Sequence, residues 1–279
     1  MSKNKIITYV ILLIVVIITL LLYIWVLPSM YDKKCQNRVF PSLKNKVETA
    51  KKSIIGIIPQ IEEDNSTTRD GFGSGVIFSK NEDTYYAITA AHVVEKKDHK
   101  YKIFTINTKF SGKTISINDD ISYEIPDEDY YESLLDGKVE YISSTADIAI
   151  ISFASSEDLP IMEFESKSIK IGDKIIAIGH PEGDKFVATY GYIKTDKQTH
   201  TFGSKATNET KKDIVIGHNA YLKQGNSGGV AISENMKIMG INIGGDLNLL
   251  GYFQRGYMIP YDLVQKEINI WESQSISKE

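Results

Sequence analysis

The hydrophobic pattern divides the chain into one long apolar segment and a series of short apolar runs. The long segment extends from Ile6 to Leu27 without a charged residue. As a helix that rises about 1.5 Å per residue, it is about 33 Å long and can cross a hydrocarbon core of about 30 Å. Tyr23 and Trp25 near its end are typical of the aromatic belt at a membrane interface. The pattern predicts a transmembrane anchor over residues 1–27.

A cleaved signal peptide is the main alternative to an anchor. Its apolar region usually spans about 7–15 residues and ends at a small-residue cleavage site, whereas Leu27–Met30 offers no such site. Basic residues flank the segment on both sides, so the positive-inside rule does not decide its orientation. Because short N-terminal tails commonly stay inside, we expect a single-pass protein of the cell membrane whose later residues are extracytoplasmic.

Residues 28–46 are polar and are interpreted as a tether or a short helix. After them, short β-type runs alternate with glycines and charged residues. Many short strands separated by turn residues predict an all-β barrel or sandwich. The acidic, tyrosine-rich stretch Ser111–Ser144 is expected to include a surface insertion. The predicted strands are Ser53–Pro59, Gly75–Phe78, Tyr85–Thr89, Lys102–Asn107, Thr114–Asn118, Ile148–Phe153, Lys174–Ile178, Val187–Lys194, Ile214–Gly217, Val230–Ile232, Ile238–Ile243 and Gly256–Ile259.

The last apolar pattern is helical. Leu263, Val264, Ile268 and Trp271 recur at the spacing of an amphipathic helix. They predict a C-terminal helix over residues 261–272 that packs on the β-structure.

Composition excludes several classes of function. The net charge is −4 and basic residues form no long run, which argues against nucleic-acid binding. A single cysteine, Cys35, excludes an internal disulfide framework and a multi-cysteine zinc site. The five histidines show no HExxH-type ligand spacing, so we expect neither a catalytic metal nor another cofactor.

Three local patterns are candidates for chemistry. His92 follows an apolar strand through two alanines, Asp147 stands at the start of a buried strand, and Ser227 is flanked by three glycines. Taken singly, these patterns are also typical of a core histidine, of a turn or cap aspartate and of an ordinary Gly-rich turn. The serine loop is not a phosphate-binding loop, because no lysine and helix follow it.

Acyl transfer joins the three patterns into one hypothesis. A serine hydroxyl is a weak nucleophile near neutral pH and needs an adjacent base. His92 would accept the proton of Ser227, and Asp147 would hold the imidazole in the required tautomer. The backbone N–H groups of Gly225 and Ser227 would form the oxyanion hole. The chain order His, Asp, Ser is the order of the chymotrypsin fold.

In its motifs the chain resembles a trypsin-like serine protease of the chymotrypsin fold, and in particular the bacterial Deg/HtrA-type protease domain. The motifs keep the order of that family and cover roughly Val47 to Asp262. They are Gly73-Ser-Gly-Val-Ile-Phe78, Thr89-Ala-Ala-His-Val-Val94, Asp147-Ile-Ala-Ile-Ile151, Ile171-Gly-Asp-Lys-Ile-Ile-Ala-Ile-Gly-His-Pro-Glu-Gly183, Tyr190-Gly-Tyr-Ile193, Gly225-Asn-Ser-Gly-Gly229, Gly240-Ile-Asn-Ile243 and Gly256-Tyr-Met-Ile-Pro260.

The resemblance implies two packed six-stranded antiparallel β-barrels with the site between them. The protease domain would span 47–272, with barrel one at about 47–160, barrel two at about 161–260 and the C-terminal helix after them. The family usually continues with one or two PDZ modules, for which no room remains here. The long interval between His92 and Asp147 leaves Asp127 and Asp129 as rival third members, although neither precedes a buried strand.

The resemblance also implies where a substrate would bind. The primary pocket would draw on Ala220–Gln224, which include Tyr221 and Leu222, on the later strand Ile241–Gly244, and on Arg255–Met258, which include Tyr257. Tyr221 stands where proteases that cut after Lys or Arg carry an aspartate, so we expect small or medium apolar side chains at the cleavage position. The backbone of the later strand would pair with an extended substrate; its residues are Ile241, Asn242, Ile243 and Gly244.

The leading hypothesis is therefore a membrane-anchored serine endopeptidase that acts on protein or peptide segments, unfolded or exposed. The alternative is a catalytically silent, membrane-anchored peptide-binding module on the same fold. The family analogy implies a homo-oligomer, specifically a trimer. His180 and His218 have no matched acidic partner in the sequence and are interpreted as structural.

Overall fold

The structure, a computed structural model, describes residues 3–63, 66–69, 71–118, 121–181, 186–203 and 210–276. Most of this chain is antiparallel sheet, and the helices lie mainly at its two ends. The α-helices are α1 (Lys3–Leu21), α2 (Leu27–Gln36), α3 (Lys44–Ala50), α4 (Ala91–Val94), α5 (Glu128–Glu132) and α6 (Tyr261–Ile276).

The N-terminal helix is continuous from α1 through a π-helical turn, Leu22–Val26, into α2. Its large apolar side chains from Ile6 to Leu27 are exposed. By length and composition it is the one helix of the described chain that could cross a membrane, a property that an N-terminal signal sequence shares. α2 then leaves the apolar run and packs on the β-structure, where Cys35 is fully buried.

The first sheet is a closed antiparallel barrel. Its strand order is β2-β1-β3-β4-β9-β8-β5, and pairing of β1 with β5 completes the ring. A separate hairpin, β6 with β7, stands outside it. The strands are β1 (Ile54–Glu63), β2 (Ser66–Arg69), β3 (Gly73–Asn81), β4 (Thr84–Thr89), β5 (Lys100–Phe104), β6 (Gly112–Asn118), β7 (Ile121–Pro126), β8 (Leu135–Ile142) and β9 (Ala149–Ala154).

The second sheet has the order β11-β10-β14-β15-β16-β13-β12. The end of β11 and the end of β13 are joined by an isolated bridge between Ile193 and His218 and by a few backbone hydrogen bonds, not by a ladder, so this sheet closes less completely than the first barrel. Its strands are β10 (Lys174–Gly179), β11 (Val187–Tyr192), β12 (Gln198–Gly203), β13 (Thr210–His218), β14 (Val230–Ile232), β15 (Ile238–Leu247) and β16 (Phe253–Pro260).

Both sheets are held by isoleucine- and valine-rich strands whose side chains are buried. β9 is buried along five consecutive residues and β14 along all three. Helix α6 covers barrel one: Val264 is fully buried, and the ring of Trp271 lies 5.2 Å from that of Tyr86 and 6.1 Å from that of Phe78. Removing this apolar surface from water is the main driving force for the fold.

The predicted fold class is confirmed: two antiparallel barrels, the second incompletely closed, with an apolar N-terminal helix and a C-terminal helix. Four strands were not predicted, namely β2, β7, β8 and β12. β8 lies inside the stretch expected to carry the insertion and belongs to barrel one. It was missed because its side chains are mostly half-exposed and include Asp136, Lys138 and Glu140.

Candidate active site

His92 lies in the short helix α4 and has the only side chain of that helix that is exposed to solvent. β4 ends at Thr89, Ala90 is extended, and the single turn of α4 follows. The other three residues of α4 are buried, whereas the side chain of His92 is 39% exposed. The small residues before it therefore bring the chain close to the neighbouring barrel, and the imidazole remains accessible.

Asp147 contacts His92 through two hydrogen bonds. Its Oδ2 lies 2.6 Å from Nδ1 of His92, and its Oδ1 accepts a hydrogen bond of 2.9 Å from the backbone N–H of His92. The carboxylate is nearly buried, with 7% of the side chain exposed. A carboxylate at Nδ1 places the proton of a neutral imidazole there and leaves Nε2 as the base.

The rival acidic residues have other positions. Asp127 caps α5, where its Oδ1 accepts a hydrogen bond from the backbone of Tyr130. Asp129 is exposed on the same helix. The structure thus places Asp147 beside His92 and gives Asp127 a role in the local helix.

Ser227 lies in a tight loop that glycines permit. Gly225 and Gly228 have φ angles of 94° and 79°, in the region that other residues rarely adopt. A Cβ atom on Gly228 would lie 2.1 Å from the carbonyl oxygen of Ser74 and 2.2 Å from Oγ1 of Thr89. This close approach places the loop directly against the strand end that leads to His92.

The backbone donors of the loop have the availability that an oxyanion hole needs. In the described chain, neither the N–H of Gly225 nor that of Ser227 donates a hydrogen bond to another residue. The hydroxyl of Ser227 likewise makes none there. Catalytic hydrogen bonds are often long or poorly aligned before substrate binds.

Ser74, which sequence reasoning did not single out as a site residue, connects the two barrels behind Ser227. Its N–H donates to the carbonyl of Ser227 at 2.8 Å, and its hydroxyl donates to the carbonyl of Gly225 at 2.7 Å. The N–H of His180 donates to the same hydroxyl. The only sequence signal was a serine between two glycines at the start of an apolar strand.

Asp213 is a second residue that was not predicted. It lies on β13 of barrel two, is 3% exposed, and its Oδ1 accepts a hydrogen bond of 3.0 Å from the backbone N–H of Asp147. It therefore fixes the loop of Asp147 from across the barrel interface. Nothing in its local sequence indicated this contact.

The predicted pocket residues before Ser227 pack against the start of β16. The ring of Tyr221 meets that of Phe253 edge-on at 5.0 Å. Leu222 is 8% exposed and lies against Gly256, where a Cβ atom would be 2.8 Å from its Cδ1. Tyr257 is buried, and its hydroxyl donates to Asp246. Burial and this carboxylate raise the pKa of Tyr257 to about 12.

The predicted substrate strand is β15. Ile241 is paired on both sides, with Val230 and with Ile259. The backbone of Asn242 exchanges hydrogen bonds of 2.7 and 2.8 Å with Gly228 and Gly229. Ile243 lies at a register shift, and at Gly244 and Gly245 the described ladders pair β15 with β16 alone. The edge that could accept a further strand therefore begins at Ile243, beside the serine loop.

His218 lies under this strand. It is fully buried, and its Nε2 is 3.2 Å from Oδ1 of Asn242. Burial lowers its pKa to about 4, so it is neutral near pH 7. His180 is also buried, among the rings of Phe72, Phe104 and Phe186.

The described residues contain no group of three or more His, Cys, Asp or Glu side chains arranged to hold a metal ion. The chemistry available here is that of the side chains themselves: a base oriented by a carboxylate, an accessible hydroxyl and two unused backbone donors.

Comparison with known proteins identifies the family of the chain. The sequence model of the trypsin-like peptidase domain matches residues 73–241. The chain is 24% identical over 243 residues to HtrA-like serine proteases of Staphylococcus aureus strains MRSA252 and USA300. These alignments cover 83% of this chain and 28% of the relatives, so the chain spans about 28% of their length.

Among solved structures, the chain is similar to the Rv3671c protease of M. tuberculosis in its active form. The TM-score is 0.59, and the superposition covers 82% of this chain and 86% of that one. At 19% sequence identity, this likeness concerns the fold.

Proposed function

Because this chain belongs to the family of trypsin-like peptidases, we propose that it is a membrane-anchored serine endopeptidase that works through a His92–Asp147–Ser227 triad. The observation that carries the proposal is the pair of hydrogen bonds between His92 and Asp147, beside the glycine-rich loop that contains Ser227. A nearly buried carboxylate that orients an accessible imidazole is the arrangement that makes a histidine a general base.

The reaction would proceed by acyl transfer. Nε2 of His92 accepts the hydroxyl proton while Oγ of Ser227 attacks the scissile carbonyl carbon, and Asp147 stabilises the imidazolium that forms. The carbonyl oxygen becomes an oxyanion, which the N–H groups of Gly225 and Ser227 stabilise. Collapse expels the amine, which takes the proton from His92, and leaves an acyl-enzyme. Water, activated by His92, then hydrolyses the ester and releases Ser227.

The substrate would bind as an extended segment along the open edge of β15. Beyond Asn242, the ladders of the described chain pair β15 with β16 and no longer with β14, which supports strand addition there. The pocket residues Tyr221 and Leu222 present an aromatic ring and an aliphatic chain, with no carboxylate at either position. We expect cleavage after small or medium apolar residues, and profiling with a peptide library that shows Lys or Arg there would contradict this.

The apolar N-terminal helix supports attachment to a membrane. We place the peptidase domain outside the cytoplasm because short N-terminal tails commonly stay inside. The protein or peptide substrates would then be extracytoplasmic segments, unfolded or exposed. The trimer implied by the family resemblance remains a prediction, and the mass of the full chain in detergent tests it.

The decisive experiment is labelling of the detergent-purified full chain with a fluorophosphonate, which reacts with activated serines. Labelling should disappear in Ser227→Ala and His92→Ala and persist in Ser168→Ala, which removes an exposed serine remote in sequence from the loop. Absence of labelling in a folded native chain, whether in detergent or in vesicles, would overturn the proposal and favour the peptide-binding module.

A further inference from the structure

The turn between β15 and β16 carries an exposed cluster of leucines. Leu247 is 62% exposed, Leu249 is fully exposed at 106%, and Leu250 is 37% exposed. We call the segment Leu247–Tyr252 the leucine tip. All three leucines are exposed, although three large aliphatic side chains within four residues are usually buried or used for binding.

The leucine tip is a defined structure rather than a loose loop. The side-chain oxygen of Asn248 accepts hydrogen bonds of 2.9 Å from the N–H groups of Leu250 and Tyr252. The backbone N–H of Asn248 donates to the carbonyl of Tyr252, also at 2.9 Å. These bonds close the turn around Asn248 and hold the leucine side chains outward.

The tip leads directly into the residues that hold the N-terminal helix. The N–H of Phe253 donates to the carboxylate of Asp32 at 3.2 Å, and the hydroxyl of Tyr31 donates to the carbonyl of Gln254 at 3.3 Å. Tyr31 follows Leu27, the last residue of the apolar run, by about 6 Å of helix rise. The polar headgroup layer of a bilayer is of similar thickness, about 5–7 Å on each side.

The contacts that α2 and the residues after it make with barrel two are arranged in order of their distance from the apolar run. Tyr31 and Asp32 bind the first residues of β16, whereas Arg38, further from the apolar run, binds Asn219 and the carbonyl of Tyr190. The start of β16 is thus the bound part of barrel two nearest to the apolar run. The tip immediately precedes it.

We infer that the leucine tip is a second membrane contact, which inserts its leucines into the interface of the bilayer that holds the N-terminal helix. The lipid surface is favoured over a protein partner because the helix itself brings the tip to the headgroup level. Lys33 and Lys34, exposed on the adjacent turns of α2, would attract anionic headgroups. This inference rests on the membrane anchoring in the proposed function.

The contact would also orient the cleft. The open edge Ile243–Gly245 runs along β15 into the tip. Insertion of the tip would hold this end of the substrate strand close to the lipid surface. The peptidase would therefore act on segments that lie near the membrane.

The test places a fluorescent probe on the full chain in vesicles of phosphatidylcholine and phosphatidylglycerol. An environment-sensitive dye is attached through Leu249→Cys, through Asn235→Cys or through Ile14→Cys. Asn235 is the matched control, because it is exposed in the turn at the opposite end of β15, about 30 Å away along the strand. The unsubstituted chain reports background labelling, since its single cysteine, Cys35, is fully buried.

The probe at Leu249 should be blue-shifted relative to that at Asn235, quenched by spin-labelled lipids and protected from aqueous iodide. A Leu249 probe as open to iodide as the Asn235 probe would overturn the inference while the Ile14 probe still reports lipid. A blue shift at Leu249 that depends on the ratio of protein to lipid, without lipid quenching, would identify a second copy of the chain as the occupant and overturn it also. If the Ile14 probe is itself in water, the anchoring fails and the inference fails with it. Fluorophosphonate labelling of the same samples reports the peptidase proposal separately.

Discussion

Asp147 accepts hydrogen bonds from both the backbone and the ring of His92, and the two residues are 55 positions apart in the chain. The backbone bond fixes the position of the carboxylate relative to the helix turn, and the ring bond fixes the tautomer. The side chain of asparagine has the same shape, so Asp147→Asn should keep the contact with the backbone of His92. It should, however, favour the wrong tautomer of the imidazole. We expect the fluorophosphonate labelling rate to fall by about 10⁴-fold.

The matched control for this substitution is Asp129→Asn. Asp129 was a rival for the third position and is exposed on α5. Its variant should label at the native rate. If Asp129→Asn were the slow variant and Asp147→Asn the fast one, the assignment of the acidic residue would be wrong.

Gly228 tests how closely the serine loop must approach barrel one. An alanine there would have to adopt a positive φ of 79°, and its Cβ atom would lie 2.1 Å from the backbone carbonyl oxygen of Ser74. Alanine at Gly172, where φ is 94° and no atom lies within 4 Å of the added Cβ, meets the backbone strain alone. Gly172→Ala should lower the free energy of unfolding by about 1–2 kcal/mol and keep labelling.

Gly228→Ala should be more destabilising than Gly172→Ala and should abolish labelling even at temperatures where the chain remains folded. Circular dichroism and fluorophosphonate labelling of the same samples separate the two effects. Equal stability and equal labelling of the two variants would show that the loop does not need this approach.

His218 predicts a pH-dependent stability. Its pKa is lowered from 6.5 to about 4 in the folded chain by burial. Between these values the unfolded chain binds the proton and the folded chain does not, so the stability is complete above pH 6.5 and falls as the pH drops toward 4. The loss over this window is about 3 kcal/mol.

The measurement is the midpoint of thermal unfolding of the full chain in detergent at pH 7 and pH 4.5. His218→Gln removes the titration, so the difference between its midpoints should be several degrees smaller than that of the native chain. Parallel losses in the two chains would contradict the role of His218.

The sequence was sufficient to propose His92, Asp147 and Ser227 as a triad, because each stands at a boundary with its own local pattern. His92 follows a strand and two alanines, Asp147 precedes a buried strand, and Ser227 has glycines on both sides. The barrel strands were predictable wherever their side chains are buried in succession, because such strands also have a clear local pattern. β8 was not, because a half-exposed strand with charged residues has a weaker hydrophobic pattern.

The contacts behind the site could not be predicted from the sequence, because they join distant parts of the chain. Ser74 meets Gly225 across 151 positions, and Asp213 meets Asp147 across 66. A buried serine hydroxyl or carboxylate is stabilised by whichever partner the packing supplies, and the residues next to it in the sequence do not indicate which partner that is. The docking of α2 on barrel two is of the same kind, since it depends on Asn219 and on backbone carbonyls.

Arg38 provides the last prediction, because it connects the juxtamembrane helix to the segment that leads to the nucleophile. Its Nη1 donates to the carbonyl and to Oδ1 of Asn219 and to the carbonyl of Tyr190, at 3.0–3.1 Å. Arg38→Ala should lower the free energy of unfolding by about 1–3 kcal/mol, since part-buried acceptors lose their donor. Arg38→Lys should not restore it, because an ammonium lacks the guanidinium plane that lies over the ring of Tyr192. Lys34→Ala, an exposed substitution in the neighbouring helix α2, should leave stability and labelling unchanged. Fluorophosphonate labelling that falls in both Arg38 variants below their unfolding temperature would show that the helix supports the loop before Ser227; native rates in both would limit Arg38 to the stability of the fold.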